Sequence, residues 1–533
     1  MCHAPGNEGG TVVRYHPNRL DDSVTDLPGQ FVLGDGSAVP DGWLVETQGR
    51  WTLATHPTLR KVAIVGSSGE RVGWLLGHGI TGLGTLASGS IRLPAAPDWG
   101  TACEQLASEL SGRFLLILVS GPSPRVYPDA LGMLAAVYAP SRRTLASTSR
   151  LIPLTPSTPF NLGRIRAVNA PHGGMYPLGL TPRDGIERIL PNHFLDLSDW
   201  ALVRRWPTAP LVFDADPVDV QRDVIARTSR GIAALGRDHL LQSPLTAGRD
   251  TRAMLACTRG VLDRVSFFTA ELPLELTGWR DVTVARAITE RLGLPHVVLP
   301  HRRARRADLR DWAVRTAGET SEPRGWRAIR TFRQVARDRL VLNGWAGDIV
   351  RPIYWKNTAS DETVTAAQIL ALCAVPPEPE FVERANRWLA SLPTTHPVTV
   401  LDLLLAEQRG GCWAGIHAYA FDGASAGNVA PMCHEEIVRA MMTLPVDYRR
   451  EMRFELDLMA REWPDLLDFP FNEQVEIGRV RRGVFQLADA GRKTQAAVRL
   501  ARHDPKRVFR GIARRTSSTT FRYSGRQRSP HLS

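Results

Sequence analysis

The chain has 533 residues, too many for one hydrophobic core and enough for two or three domains. Its 43% hydrophobic and 23% charged content is the balance of an ordinary soluble globular protein. The net charge of +12 suggests nucleic acid until it is located: Arg479 to Ser533 carries 15 Lys plus Arg against 2 Asp plus Glu, which leaves −1 for the first 478 residues. That basic tail reads as largely disordered, able to touch a membrane surface, RNA or an acidic partner, and nucleic acid is not expected as the main partner.

Six cysteines are scattered with no Cys-x-x-Cys pair, which argues against a zinc site and a disulfide framework. Lysine occurs only at Lys61, Lys356, Lys493 and Lys506, so basic roles fall to arginine. Met1 to Gly10 is polar and Gly-rich, with none of the features of a signal peptide. The most apolar stretch, Phe114 to Val119, is far too short to span a bilayer. No membrane span is expected, and a cytoplasmic location follows by default.

In chain order, residues 1 to 28 read as a loose segment. From Phe31 to about Trp206 the pattern is β-rich: WLVET, KVAIVG, RFLLILV and TLAST are short runs between Gly, Pro, Asp and Ser clusters. One helix is expected around Thr101 to Ser111. The whole reads as an α+β domain of stacked sheets, residues 29–207. Thr208 to Pro217 is linker-like. Val220, Val224, Ile225 and Ile232 then recur at helical spacing. LQSPLTA, VSFFTA and HVVLP read as strands, with helices over Asp250 to Arg259 and DVTVARAITERLG between them. That alternation predicts a parallel α/β sheet with right-handed crossovers, which binds ligands at the carboxyl ends of its strands. From Arg302 to Phe471 the pattern is mainly helical.

The segment richest in chemistry is Pro244-Leu-Thr-Ala-Gly-Arg-Asp-Thr-Arg252, where the first of these strands turns into a helix. Its turn would expose backbone N–H groups at a helix N-terminus, which attracts phosphate. Thr246 and Thr251 add hydroxyl donors. Asp250 would repel phosphate directly, so its role is through Mg²⁺, in holding the loop or in capping the helix. Neither GxGxxG nor a Walker A pattern stands here.

This segment resembles the pyrophosphate loop Ser-Gly-Gly-x-Asp-Ser of the asparagine synthetase class of ATP pyrophosphatases. Thr246, Gly248, Asp250 and Thr251 stand at the first Ser, second Gly, Asp and last Ser, and Ala247 replaces the first Gly. Trp279-Arg-Asp281 and Leu292-Gly-Leu-Pro-His296 follow where the family carries an Asp and an LG…H ending. Leu342-Asn-Gly-Trp-Ala-Gly-Asp-Ile-Val-Arg351 resembles the family's Gly-rich loop with an acid, matching at Gly344, Gly347 and Asp348. Gly112-Arg-Phe, Tyr127-Pro-Asp-Ala-Leu-Gly132, Ser147-Thr-Ser and Leu190-Pro-Asn-His193 look like the family's glutaminase domain.

The resemblance implies an Ntn-hydrolase-like stacked-sheet domain. After it comes a Rossmann-like synthetase domain of adenine nucleotide α-hydrolase type, over residues 217–478 with added helices. It implies ATP and Mg²⁺ as cofactors, a small-molecule or peptide carboxylate with an amine donor, and an acyl-adenylate intermediate. Leu245, Thr246, Ala247, Gly248, Asp250, Thr251, Phe268, Thr269, Gly344 and Gly347 would hold the nucleotide. Asp250 and Asp348 would bind the metal. Asp348, Arg351 and Lys493 would act at the reacting end.

The pattern breaks at the N-terminus. The family's nucleophile follows Met1 directly and opens a strand, whereas Cys2 here leads into His3-Ala-Pro5 and loose chain. The family's Arg-Gly-Pro-Asp type motif is missing too. A thiol without a positioned activating environment is a poor nucleophile, so glutaminase chemistry is expected to be lost. Near the family's late lysine stand the arginines of Gly478-Arg-Val-Arg-Arg-Gly483, with Lys493 further on. That departure leaves a nucleotide-binding protein without turnover as the rival expectation.

Overall fold

The computed structural model of the chain describes residues 26–34, 39–96, 98–168, 174–272, 278–320, 323–359 and 362–472. Cys2, Lys493 and the basic tail lie outside the described residues. The fold is mixed α/β, with two largely antiparallel sheets followed by a parallel one.

The first sheet has six strands in the order Glu187–Arg188, Val137–Ala139, Thr144–Ala146, Phe31–Gly34, Trp51–Thr55 and Leu44–Gln48. The second has seven, with Ser111–Leu118 and Arg71–Ile80 at its centre, and only its Lys61–Val65 and Ser90–Arg92 pair runs parallel. Period-two alternation explains how they pack. Trp74, Leu76, Leu115 and Ile117 point one way and meet Phe31, Leu33, Trp51 and Leu53 of the first sheet in one shared core. Leu75, Phe114, Leu116 and Leu118 point the other way, onto Ala102, Cys103 and Leu106. Those three belong to the helix Trp99–Glu109, capped by Asp98, which accepts from the Thr101 N–H at 2.9 Å. The far face of the first sheet, with Val32, Ala54 and Val137, is covered by Trp43, Ile152, Ile186 and Val314.

The third sheet has five strands, all parallel, in the order His296–Leu299, Val265–Ala270, Leu240–Pro244, Arg339–Leu342 and Gly427–Val429. The first three are the strands read from sequence. The last two are short strands within the stretch read as mainly helical, which otherwise carries helices from Arg306–Arg315 to Phe454–Glu462. Numbered along the chain, the order is 3-2-1-4-5, so its direction of growth reverses between Leu240–Pro244 and Arg339–Leu342. A crevice opens at the carboxyl ends of such a strand pair.

Buried ion pairs tie the antiparallel sheets to the segments that follow. Both oxygens of Asp422 accept from Arg113, at 2.7 and 2.8 Å. Arg188 donates to Glu319 at 2.5 Å with neither side chain exposed. Glu407, fully buried, accepts from Arg204 at 2.6 Å, Asn192 at 3.1 Å and Trp388 at 2.7 Å. Cys433 reaches Asp129 at 3.2 Å, and Asp129 also accepts from the backbone N–H groups of Leu131, Met133 and Leu134. The described residues as far as Phe469 form one compact unit. Among the described residues no helix is long and apolar enough to cross a membrane.

Candidate functional site

The loop after Leu240–Pro244 is held by its own hydroxyls. The Thr246 N–H donates to Thr251 Oγ1 at 3.1 Å, the two hydroxyls lie 2.9 Å apart, and the Gly248 N–H donates to Thr246 Oγ1 at 3.0 Å. The Ala247 N–H donates to Asp281 Oδ1 at 2.9 Å, which gives the aspartate of the Trp279-Arg-Asp segment a positioning role. Arg252, fully buried, donates to the Phe469 carbonyl at 2.9 Å and the Ala247 carbonyl at 3.4 Å, with its pKa lowered to about 9 by burial. The helix Arg249–Cys257 then starts at Gly248, and no side chain caps it. A shaped loop ending in an uncapped helix start suits an anionic ligand.

The second loop leaves the neighbouring strand beside it. The Asn343 N–H donates to the Val429 carbonyl at 2.9 Å, and Asn343 Oδ1 accepts from the Trp345 N–H at 3.2 Å. Ala346 has φ of +92°, a strained backbone for a residue with a side chain. The turn Gly347–Val350 follows and is clamped from below. Fully buried Arg449 donates to the Ile349 carbonyl at 2.6 Å and to both oxygens of Asp402 at 2.6 and 2.7 Å. This clamp fixes the direction of Asp348 and Arg351.

The two loops meet. A Cβ placed on Gly347 would lie 2.8 Å from Asp250 Oδ1, and one on Gly344 would lie 3.6 Å from Asp250 Cβ. Gly347→Ala is therefore expected to push the Asp250 carboxylate aside. The check is a crystal structure of the variant, in which the Asp250 carboxylate is displaced, beside an unchanged thermal midpoint.

Arg351 is the hub. One of its terminal nitrogens lies 3.0 Å from each oxygen of Asp250 and also donates to Asp348 Oδ1. Its Nε lies 3.4 Å from Glu455 Oε1. Arg409 Nε lies 3.8 Å from the other oxygen of Asp348. Sequence reading missed Glu455 and Arg409. Glu455 opens the helix Phe454–Glu462, which packs on Arg249–Cys257. Arg409 sits in the π-helix Leu405–Ala414, a rare geometry that concentrates at functional sites. The π-helix was the available signal for Arg409, but only once the backbone was known.

Burial, with Asp250 nearby, raises the Glu455 pKa to about 7. Its unfolded value is near 4.5, so the folded chain holds a proton that the unfolded chain has lost. Stability therefore declines as pH rises from about 4.5 to about 7 and stays lowered above that. Glu455→Gln removes the ionisation. The variant is expected to unfold at higher temperature than the parent at pH 8 and at nearly the same temperature at pH 4, as followed by calorimetry.

Other expected residues fall as follows. Leu245, Phe268 and Thr269 come together but are buried, and the Leu245 backbone is engaged: its N–H donates to the Phe268 carbonyl at 2.9 Å and its carbonyl accepts from Thr269 at 2.6 Å. Lys356 is exposed. In the expected metal pair, Asp250 and Asp348, the Arg351 guanidinium stands between the two carboxylates. No group of three or more His, Cys, Asp or Glu side chains among the described residues is arranged to hold an ion. Beyond Asp348 a small cavity is walled by Leu131, Trp345, Ile349, Leu405 and Ala406, with Arg409 at its edge. No protein-family model and no curated protein sequence matches the chain.

Proposed function

We propose that the chain is an ATP-dependent carbon–nitrogen ligase of the asparagine synthetase type, with a Rossmann-like synthetase part and an Ntn-hydrolase-like part that has lost its glutaminase chemistry. The observation that carries this reading is the meeting of the Thr246–Thr251 loop and the Gly344–Arg351 loop at the carboxyl ends of two adjacent parallel strands, where the sheet order reverses. In this reading Thr246, Gly248, Thr251 and the uncapped helix start take the pyrophosphate end of ATP. A carboxylate oxygen attacks the α-phosphorus, the bond to the leaving pyrophosphate breaks, and an acyl-adenylate results. An amine then attacks the acyl carbon, and AMP leaves with the oxygen the carboxylate supplied. Arg351 and Arg409 lie where negative charge develops. The amine comes from the substrate or as free ammonia.

The test is isotopic. A substrate carboxylate labelled with ¹⁸O should deliver one labelled oxygen to AMP. Label in inorganic phosphate instead would sink the adenylate reading. A second reading is nucleotide binding without turnover. It is favoured by the one observation that Arg351 ties up the acids of both loops, Asp250 and Asp348, and ATP binding with no AMP formed would support it.

A further inference from the structure

We infer that the Asp250–Asp348 pair is a guanidinium seat and not a metal seat: Arg351 supplies from within the chain the positive charge that a divalent cation would otherwise bring there. The inference rests on reading these two loops as the nucleotide site, and it concerns what that site requires.

The geometry is specific. Mg²⁺ needs carboxylate oxygens at about 2.1 Å in near-octahedral array. Here one terminal nitrogen of Arg351 touches both Asp250 oxygens and Asp348 Oδ1, so it fills the space between the two acids. Arg351 is anchored from its own backbone. Its N–H donates to the Asp348 carbonyl at 3.2 Å, closing the short turn that Arg449 clamps through Ile349. The side chain is only 16% exposed, between acids that are 32% and 23% exposed, so the pair is sheltered beyond the usual surface ion pair. Glu455 lies on the far side of the same guanidinium, 3.4 Å from Nε. Moving Arg351 away would leave three carboxyl groups facing one another, with Arg409 near Asp348. Arginine also keeps its charge at any working pH and presents several donors at once, which suits phosphate oxygens directly.

The experiment is a Mn²⁺ titration of the full chain without nucleotide, read by the electron paramagnetic resonance signal of free Mn²⁺. The wild-type chain is expected to leave that signal at the intensity of buffer. Arg351→Ala, which empties the seat, is expected to bind Mn²⁺, and Arg351→Lys, which keeps a cation there, is not. Circular dichroism checks that each variant is folded. Mn²⁺ binding by the wild-type chain that is lost in Asp250→Asn overturns the inference without reference to any Arg351 variant. Failure of folded Arg351→Ala to bind Mn²⁺ also overturns it, because the acids would then be no seat for a cation of that kind. With no nucleotide present, the titration is independent of the AMP-labelling test, so the proposed activity and the guanidinium seat can fail separately.

Discussion

Arg188→Met is expected to lower the unfolding free energy by about 3–5 kcal/mol, the usual cost of stranding one partner of a buried ion pair. Both Arg188 and Glu319 have fully buried side chains. Without the guanidinium, Glu319 would keep the Ser149 N–H as a donor, 2.6 Å from Oε1. A domain is stable by only about 5–15 kcal/mol, so the loss is a large share of the total. The double variant Arg188→Met with Glu319→Gln removes both charges and keeps an acceptor for Ser149. It is expected to recover most of the loss. Urea unfolding midpoints of the parent, single and double variants make the comparison. A single variant as stable as the parent would mean that the antiparallel sheets are not bolted to the later segments by buried charge.

Buried charge gives the antiparallel region a structural role. Glu319, Glu407 and Asp422 belong to the later segments, and each takes its arginine from the earlier ones. Deleting the first sheets would leave those acids buried and unpaired.

On the proposed ligase reading, Asp348→Ala is expected to reduce kcat for adenylate formation by about a hundredfold, through loss of position of Arg351. Its effect on stability should stay below about 1 kcal/mol, because Asp348 is half-buried and the turn that carries it is held by Arg449 through backbone carbonyls. If the role were only structural, the thermal midpoint would fall and kcat per folded molecule would not. Steady-state kinetics beside calorimetry separates the two.

Much of the site was legible in the chain because the relevant signals are local. Strand, turn and helix alternate over Leu240 to Leu299 with clear apolar runs, and both loops follow such runs directly. Glu455 and Arg409 carry no local signal: each is a charged residue on a helical pattern, and only packing brings it to Arg351. The closing strand Gly427–Val429 is three residues long and opens with Gly and Asn, which no strand pattern favours. Nothing local in the sequence marks Arg188, Arg204 and Arg113 as buried, since burial of an ion pair depends on partners far along the chain. The substitution of a guanidinium for a metal was hidden for a related reason. Arg351 stands only three residues from Asp348, but its reach to Asp250 depends on two strands being neighbours in the sheet.

The most direct measurement is pyrophosphate release from ATP, with a panel of carboxylates that includes aspartate and apolar acids, and Asp250→Ala as the control. The expected result is release that depends on one carboxylate and disappears in the variant. ATP bound with no release across the panel, or release that Asp250→Ala leaves untouched, would contradict it.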